Sequence, residues 1–367
     1  MVVVGAGPAG STAAKEAASQ GASVLMLEKA KTVGQPVRCG EFLPSLEEIR
    51  RICVDTEGLE DLFDLPNRVL GRFIERARAY APSGRVFEVD FQGHSIWRDR
   101  LDHYLAREAV DEGAELWTGT PFLGFDNGTI VTPRTKIRGT AVVGADGPRS
   151  LVAREKGFPE HQLLFPALSL SLSGSFDPVF EAYFGGAAPG GYAWVIPRHH
   201  DANVGLGVRP DLKQDPIHDA LDFFLKARGL RATSAPTGGF VPMSGPLPET
   251  VRDNVLIAGD AAGQVLSTSG GGIFTAMICG RLAGEAAARF AAGIAPLERY
   301  EGAWRRVLGG AFQRGWAVFQ MLAPSFDDSE ALEECFRLLG PEGLAAALRC
   351  QDLPSAEVLS LEKPPAR

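Results

Sequence analysis

Several scarcities bound what this 367-residue sequence encodes. Only eight lysines are present, the formal net charge is −8, and the arginines are interrupted by acids. There is therefore no basic stripe to neutralise phosphates, and nucleic acid is not an expected partner. No apolar stretch reaches the ~18 uninterrupted residues of a membrane span, and Met1 leads straight into an apolar strand with no room for a targeting segment. The chain is expected to be cytoplasmic. The cysteines, Cys39, Cys53, Cys279, Cys335 and Cys350, are odd in number and lack zinc-like pairing. His199 and His200 are adjacent and face opposite ways on a strand, so no metal site is expected. The spacing of Cys335 and Cys350 is compatible with a bridge across a helical hairpin and with two free thiols, and does not decide between them. No repeat or low-complexity tract is present, and the closing ProProAlaArg reads as a frayed tail.

What is present is a set of three glycine-bearing fingerprints: VVVGAGPAG from Val2 to Gly10, AVVGADGPRS from Ala141 to Ser150, and NVLIAGDAAG from Asn254 to Gly263. In the first, Val2 to Val4 read as a buried strand and Gly5 as the turn. Gly7 lets backbone approach a pyrophosphate, and Gly10 lets the following helix pack on the sheet. Phosphates then sit at the helix N-terminus, where free N–H groups and the dipole favour negative charge. A second strand ends at Glu28, 18 positions past Gly10, near the ~20 expected of an acid that binds a ribose hydroxyl. In the third, an apolar strand closes on Gly259-Asp260, whose carboxylate suits a flavin ribityl hydroxyl. Beyond it Ser269 to Gly272 opens a helix whose N–H groups would stabilise charge on a reduced flavin ring. A distant Gly-Asp combined with the first turn points to FAD. The middle fingerprint, at Asp146-Gly147, also reads as a turn alone.

The fold class expected is α/β: a Rossmann-type FAD-binding lobe, an inserted antiparallel-sheet lobe and a helical C-terminal region. The boundaries expected are 1–66, 98–158 and 250–294 for the FAD lobe, 67–97 and 159–249 for the substrate lobe, and 295–367 for the helical region. PGGYAWVIP, from Pro189 to Pro197, reads as a strand with Tyr192 and Trp194 on one face and Ala193 and Val195 on the other. That aromatic pair suits the wall of an apolar tunnel or a packed core.

PVRCGEFLPS from Pro36 to Ser45, PGGYAWVIP, and GDAAG followed by SGGGI together resemble the geranylgeranyl reductase family, within the p-hydroxybenzoate hydroxylase-like FAD superfamily. The likeness runs from Val2 to about Ala292. It implies an FAD-dependent reductase that saturates C=C bonds of geranylgeranyl chains, as the archaeal members do with digeranylgeranylglycerophospholipids. It implies that Cys39, Gly40 and Glu41 lie by the reacting centre and that Tyr192, Trp194 and Pro197 line the prenyl site. The cofactor set expected is Gly5, Gly7, Ala9, Gly10, Glu28, Lys29, Arg38, Cys39, Gly40, Arg98, Asp260, Gly271, Gly272 and Ile273. Saturating an alkene needs a proton beside the hydride, and a thiol, still protonated at neutral pH, makes Cys39 the candidate donor; the alternative is a small residue packing the loop. Arg98 suits the FAD phosphates or ring edge, or else a surface ion pair with Asp102. Phe42 and Ile196 stand where the family pattern often has Gly and Phe.

Two other functions fit less well. A flavin monooxygenase shares the superfamily, but the halogenase branch needs a trapping lysine, and none occurs between Lys31 and Lys136. A non-catalytic prenyl-binding protein would not need intact Gly5, Gly7, Gly10, Glu28 and Asp260. With one Gly-x-Gly-x-x-Gly turn only, the electron donor is NAD(P)H docking transiently or a ferredoxin-like carrier. A prenyl lipid partner implies peripheral contact with a membrane. The amphipathic stretch Leu332 to Leu339, with Leu332, Phe336 and Leu339 on its apolar face, is a candidate for that contact or for a core helix.

Overall fold

The computed structural model describes residues 1–353 apart from 187, 213–215 and 233; the ProProAlaArg tail lies outside the described residues. Uninterrupted apolar triplets behave as strands buried on both faces of a parallel sheet. Val2–Val4 lies parallel between Leu25–Leu27 and Val142–Gly144; Val255–Ile257 and Glu115–Trp117 extend the sheet on either side. Val251–Arg252 adds an antiparallel sixth strand at one edge.

Two helices share one face of this sheet. Pro8–Ser19 and Ile273–Ala291 pack so closely that a Cβ on Gly280 would lie 2.4 Å from the Ala9 carbonyl and one on Gly284 2.3 Å from that of Ala13. Two such contacts, four residues apart in each helix, mean the helices run the same way. The cap of the second, Gly272, lies eight residues before Gly280. At 1.5 Å per residue its N-terminus extends about 12 Å beyond the level of Ala9. The fold thus presents two helix N-termini at successive depths along one cleft.

A seven-stranded sheet faces that cleft, in the order Thr237–Pro242, Leu164–Ser173, Asp201–Gly207, Ala188–Pro197, Phe180–Gly185, Ala77–Tyr80, Val86–Val89. On its outer face Ala193, Val195, Val204 and Leu206 pack against Leu221, Phe224 and Leu225 of helix Ile217–Ala227. A small sheet of Phe42–Pro44, Gly93–Ile96 and Leu70–Ile74 joins the two larger ones.

The C-terminal helices complete the molecule, and they decide two points that the sequence leaves open. Leu332, Phe336 and Leu339 do not lie at an interface with lipid. They are buried against Ala77, Ala79 and Val89, and the Phe336 ring meets Phe184 at 4.9 Å. The apolar face is consumed by the sheet it covers. Cys335 and Cys350 form no disulfide, and all five cysteines are free. They lie not on a hairpin but on either side of a break at Gly340-Pro341 in Ser329–Leu348 and the residues just after it. Cys335 points at Ser325, whereas the Cys350 sulfur is 3.4 Å from Thr268 Oγ1. Among the described residues no helix is long and apolar enough to cross a membrane, and no group of His, Cys, Asp and Glu is arranged to hold a metal.

Candidate functional site

The first fingerprint is shaped by what its glycines exclude. Gly5 has φ +100° and a Cβ there would lie 2.3 Å from the Ala145 carbonyl; one on Gly10 would lie 1.9 Å from the Gly5 carbonyl. Gly7 has nothing within 4 Å of where its Cβ would be, and it caps helix Pro8–Ser19 with no side chain on the first-turn N–H groups. Open space above an uncapped helix N-terminus is a cradle for a pyrophosphate. Glu28 accepts hydrogen bonds from the backbone N–H of Ala6 at 2.9 Å and of Ala30 at 2.7 Å, which holds its carboxylate at the end of the second strand. Lys29 is exposed beside it.

Deeper in the cleft, Asp260 and the glycines before Ile273 line a cavity of about 350 Å³. Burial pushes the Asp260 carboxyl up to about 6, opposed by the Arg98 charge. Gly272 leaves the N-terminus of Ile273–Ala291 without a side-chain cap. Glu28, Gly7, Asp260 and Gly272 therefore offer, in order, sites for a ribose, a pyrophosphate, a ribityl chain and a ring, and the residues present fit FAD. The middle fingerprint contributes less: Asp146 accepts from the Ser150 hydroxyl at 2.5 Å and from the Leu151 and Val152 N–H groups, so its carboxylate caps a short helix. Only Ala145 and Gly147 of that segment line the cavity.

The Cys-Gly-Glu loop crosses the cavity. Gly40 packs where a Cβ would lie 3.4 Å from Ile196 and 3.5 Å from the Trp194 ring. Glu41 has φ +64° and is buried, so its strained backbone must be held by partners. Its carboxylate accepts from the Arg98 N–H at 2.9 Å, Asn203 Nδ2 at 2.8 Å and Arg198 Nη1 at 2.5 Å. Burial pushes the Glu41 carboxyl up and the Arg198 guanidinium opposes it. Cys39 is tied by the Glu41 N–H, which donates to its sulfur at 3.2 Å, and by Asn203 Nδ2, which donates to its carbonyl at 2.9 Å. Burial pushes the thiol up, opposed first by the charge of Arg98. Arg98 itself forms not a surface pair but a buried two-point one with Asp102, Nε to Oδ1 at 2.8 Å and Nη2 to Oδ2 at 3.2 Å. Arg38 is exposed at the cavity wall.

Strand alternation sets the other wall. Tyr192, Trp194 and Ile196 face the cavity, and the Tyr192 and Trp194 rings meet edge-on at 5.9 Å. Tyr192 donates to the Ser269 carbonyl at 2.5 Å, which joins the sheet to the glycine loop. Trp194 Nε1 donates to Asn203 Oδ1 at 2.8 Å. Pro197 has the parity of Ala193 and Val195; it pairs with Ala202 and is not among the lining residues, a correction that follows from the two-residue period of a strand.

Two groups of site residues were missed from sequence. Arg198 is 3% exposed and fully engaged: besides Glu41 it binds Asp201 at 2.9 and 2.7 Å and Ser171 at 2.6 Å, and it lies 4.1 Å over the Trp97 ring. With Asn203 it bolts the Cys39 loop to the sheet. A polar Asn in the apolar run from Ala202 to Leu206 was the available signal. The second group, Phe319, Phe326 and Leu348, brings the C-terminal helices into the cavity wall, and no motif marks them.

Comparison with known proteins agrees with this geometry. Residues 173–237 match the family model for a geranylgeranyl reductase catalytic domain, and residues 3–45 match that for an NAD(P)-binding Rossmann-like domain. The chain is 34% identical over 320 residues to a digeranylgeranylglycerophospholipid reductase of Methanocaldococcus jannaschii, covering 79% of this chain and 76% of that one. It is 33% identical over 360 residues to digeranylgeranylglycerophospholipid reductase 1 of Methanopyrus kandleri, covering 91% and 92%. A solved geranylgeranyl bacteriochlorophyll reductase-like protein of Thermoplasma acidophilum superposes with a TM-score of 0.81 at 27% identity, covering 98% of this chain and 94% of that one.

Proposed function

Because the chain belongs to the geranylgeranyl reductase family, whose members are FAD-dependent oxidoreductases, we propose that it saturates C=C bonds in the prenyl chains of an isoprenoid phospholipid. One observation carries this reading: a single cavity runs from the helix N-termini at Gly7 and Gly272, past Cys39, to a wall of Phe42, Phe180, Phe184, Tyr192 and Trp194. A polar cofactor end opening into an aromatic end suits an apolar chain brought to a flavin.

When bound and reduced, FAD would supply hydride chemistry to an alkene. Gly7, Glu28, Asp260, Gly271 and Gly272 would hold the cofactor, and Tyr192 and Trp194 exclude water around the chain. The Cys39 thiol, kept protonated by burial, donates its proton to the neighbouring carbon, and the Arg98 guanidinium stabilises the thiolate left behind. Glu41, Arg198 and Asn203 position the loop rather than react. Electrons come from NAD(P)H or a ferredoxin-like carrier. The cofactor lobe is 1–66, 98–158 and 250–294, a division supported by the six-stranded sheet, which draws every strand from those segments. The seven-stranded sheet draws all of its own from 67–97 and 159–249.

The test is anaerobic reduction of the purified flavoprotein, addition of a digeranylgeranyl phospholipid, and mass spectrometry of the lipid. A gain of two hydrogens per saturated bond is expected. Oxygen-dependent gain of an oxygen atom would transfer the chain to the monooxygenases, and bound lipid returned unchanged in the presence of reduced flavin would make it a binding protein.

A further inference from the structure

One wall of the cavity is flanked by a buried ion pair that the proposed chemistry does not use. Helix Leu46–Ile52 follows the Cys-Gly-Glu loop, and its Glu48 is 2% exposed. Arg349, at the end of Ser329–Leu348, donates to both Glu48 oxygens, at 2.6 and 2.8 Å, and to the Asp90 carbonyl at 2.6 Å. Arg51 adds a contact to Glu48 at 3.2 Å. The neighbours of these anchors, Leu348, Ile52 and Phe91, line the cavity. The helix that carries Leu348 is broken at Gly340, which has φ +58°, with Pro341 next to it. Its last two turns are therefore not held by continuity with residues 329–339: Leu344 and Ala345 pack on the sheet, and the pair pins the end that carries Leu348.

A buried two-point pair is a costly way to hold a helix end, because desolvation offsets most of its Coulomb gain. What such a pair does well is fix one position. We propose that the Glu48–Arg349 pair sets the position of Leu348 against Ile52 and Phe91, and that this wall gauges the length of apolar chain the cavity accepts. Glu48 and Arg349 are positioning residues; Leu348 touches the chain. The inference rests on the prenyl-lipid reading of the cavity.

The test uses the full-length flavoprotein and phospholipids bearing farnesyl, geranylgeranyl or the longer geranylfarnesyl chains, with wild type, Leu348→Ala, Leu348→Trp and Arg349→Met. Flavin content checks folding, and two readouts are taken: saturation by mass spectrometry, and binding by quenching of tryptophan emission, which needs no turnover. Leu348→Ala and Arg349→Met should raise the geranylfarnesyl-to-geranylgeranyl ratio about tenfold, the low end of what a methylene-sized change in an apolar pocket does, and Leu348→Trp should lower the geranylgeranyl-to-farnesyl ratio by a similar factor. Unchanged ratios in both readouts for the Leu348 variants would overturn the gauge while leaving the reductase standing. Shifted binding ratios with no saturation by wild type would keep the gauge and overturn the reductase. Arg349→Met carrying wild-type ratios while Leu348→Ala shifts them would remove the ion pair from the proposal.

Discussion

The two ends of the cavity are built by different means. The cofactor end is made of backbone: Gly5 and Gly10 let main chain pack where no Cβ would fit, Gly7 and Gly272 each leave a helix N-terminus without a side-chain cap, and the acids Glu28 and Asp260 close short strands. The chain end is made of side chains from distant segments, held by buried charge: Glu41 with Arg198 across 157 residues, and Glu48 with Arg349 across 301. A backbone cradle tolerates change at its rim and fails when a Cβ is added inside it. A side-chain wall fails instead when one partner of a buried pair is removed.

The largest effect should come from the chain end. Arg198→Met leaves Glu41 buried on a positive-φ backbone with its strongest partner gone, and should cost roughly 3–5 kcal/mol in urea unfolding. A loss below 1 kcal/mol would mean the network is not what holds the loop. Next, Cys39→Ser should keep FAD yet slow saturation by about 10²-fold, the low end for general acid catalysis. Wild-type turnover in that variant would reduce Cys39 to packing. Because burial raises the Cys39 pKa, the acid form persists through neutral pH. Activity should therefore hold there and fall only on the alkaline side of the ordinary thiol range; a fall starting below neutrality would point to another donor.

At the cofactor end, Gly10→Ala drives a Cβ into the Gly5 carbonyl and should cost about 2 kcal/mol, in the range of core overpacking, with loss of the flavin absorbance from the purified protein. Full flavin content would show that the turn can shift. The smallest effect is a titration. Asp260 has its pKa raised to about 6, so its carboxylate is present above that pH and lost as pH falls through it. FAD affinity should weaken about tenfold across this window, the worth of one charge-assisted bond, and Asp260→Asn should bind at a pH-independent level. Equal pH dependence in the two proteins would free Asp260 from the ribityl role.

The legible parts of the site were those whose geometry closes over a few residues. A Gly-x-Gly-x-x-Gly turn is dictated by local sterics, and the facing of Tyr192 and Trp194 by a two-residue period. That same period, applied to Pro197, already placed it on the far face. Whether Cys335 and Cys350 pair, and whether the amphipathic helix faces lipid or core, is open in the sequence because each depends on what lies opposite. Spacing could not show the break at Gly340, and an amphipathic face packs on a sheet or on lipid by the same pattern.

By itself, then, the sequence determined the strand–turn–helix units, the carboxylates at their ends and the faces of the aromatic strand, since backbone sterics act between neighbours. Only the tertiary structure decided that Asn203 holds Cys39 and Arg198 holds Glu41 against that sheet, that Arg98 turns inward to Asp102, and that Leu348 lines the cavity. These depend on burial, which removes the water that would otherwise satisfy each charge, and burial is a property of the packed chain and of no segment within it.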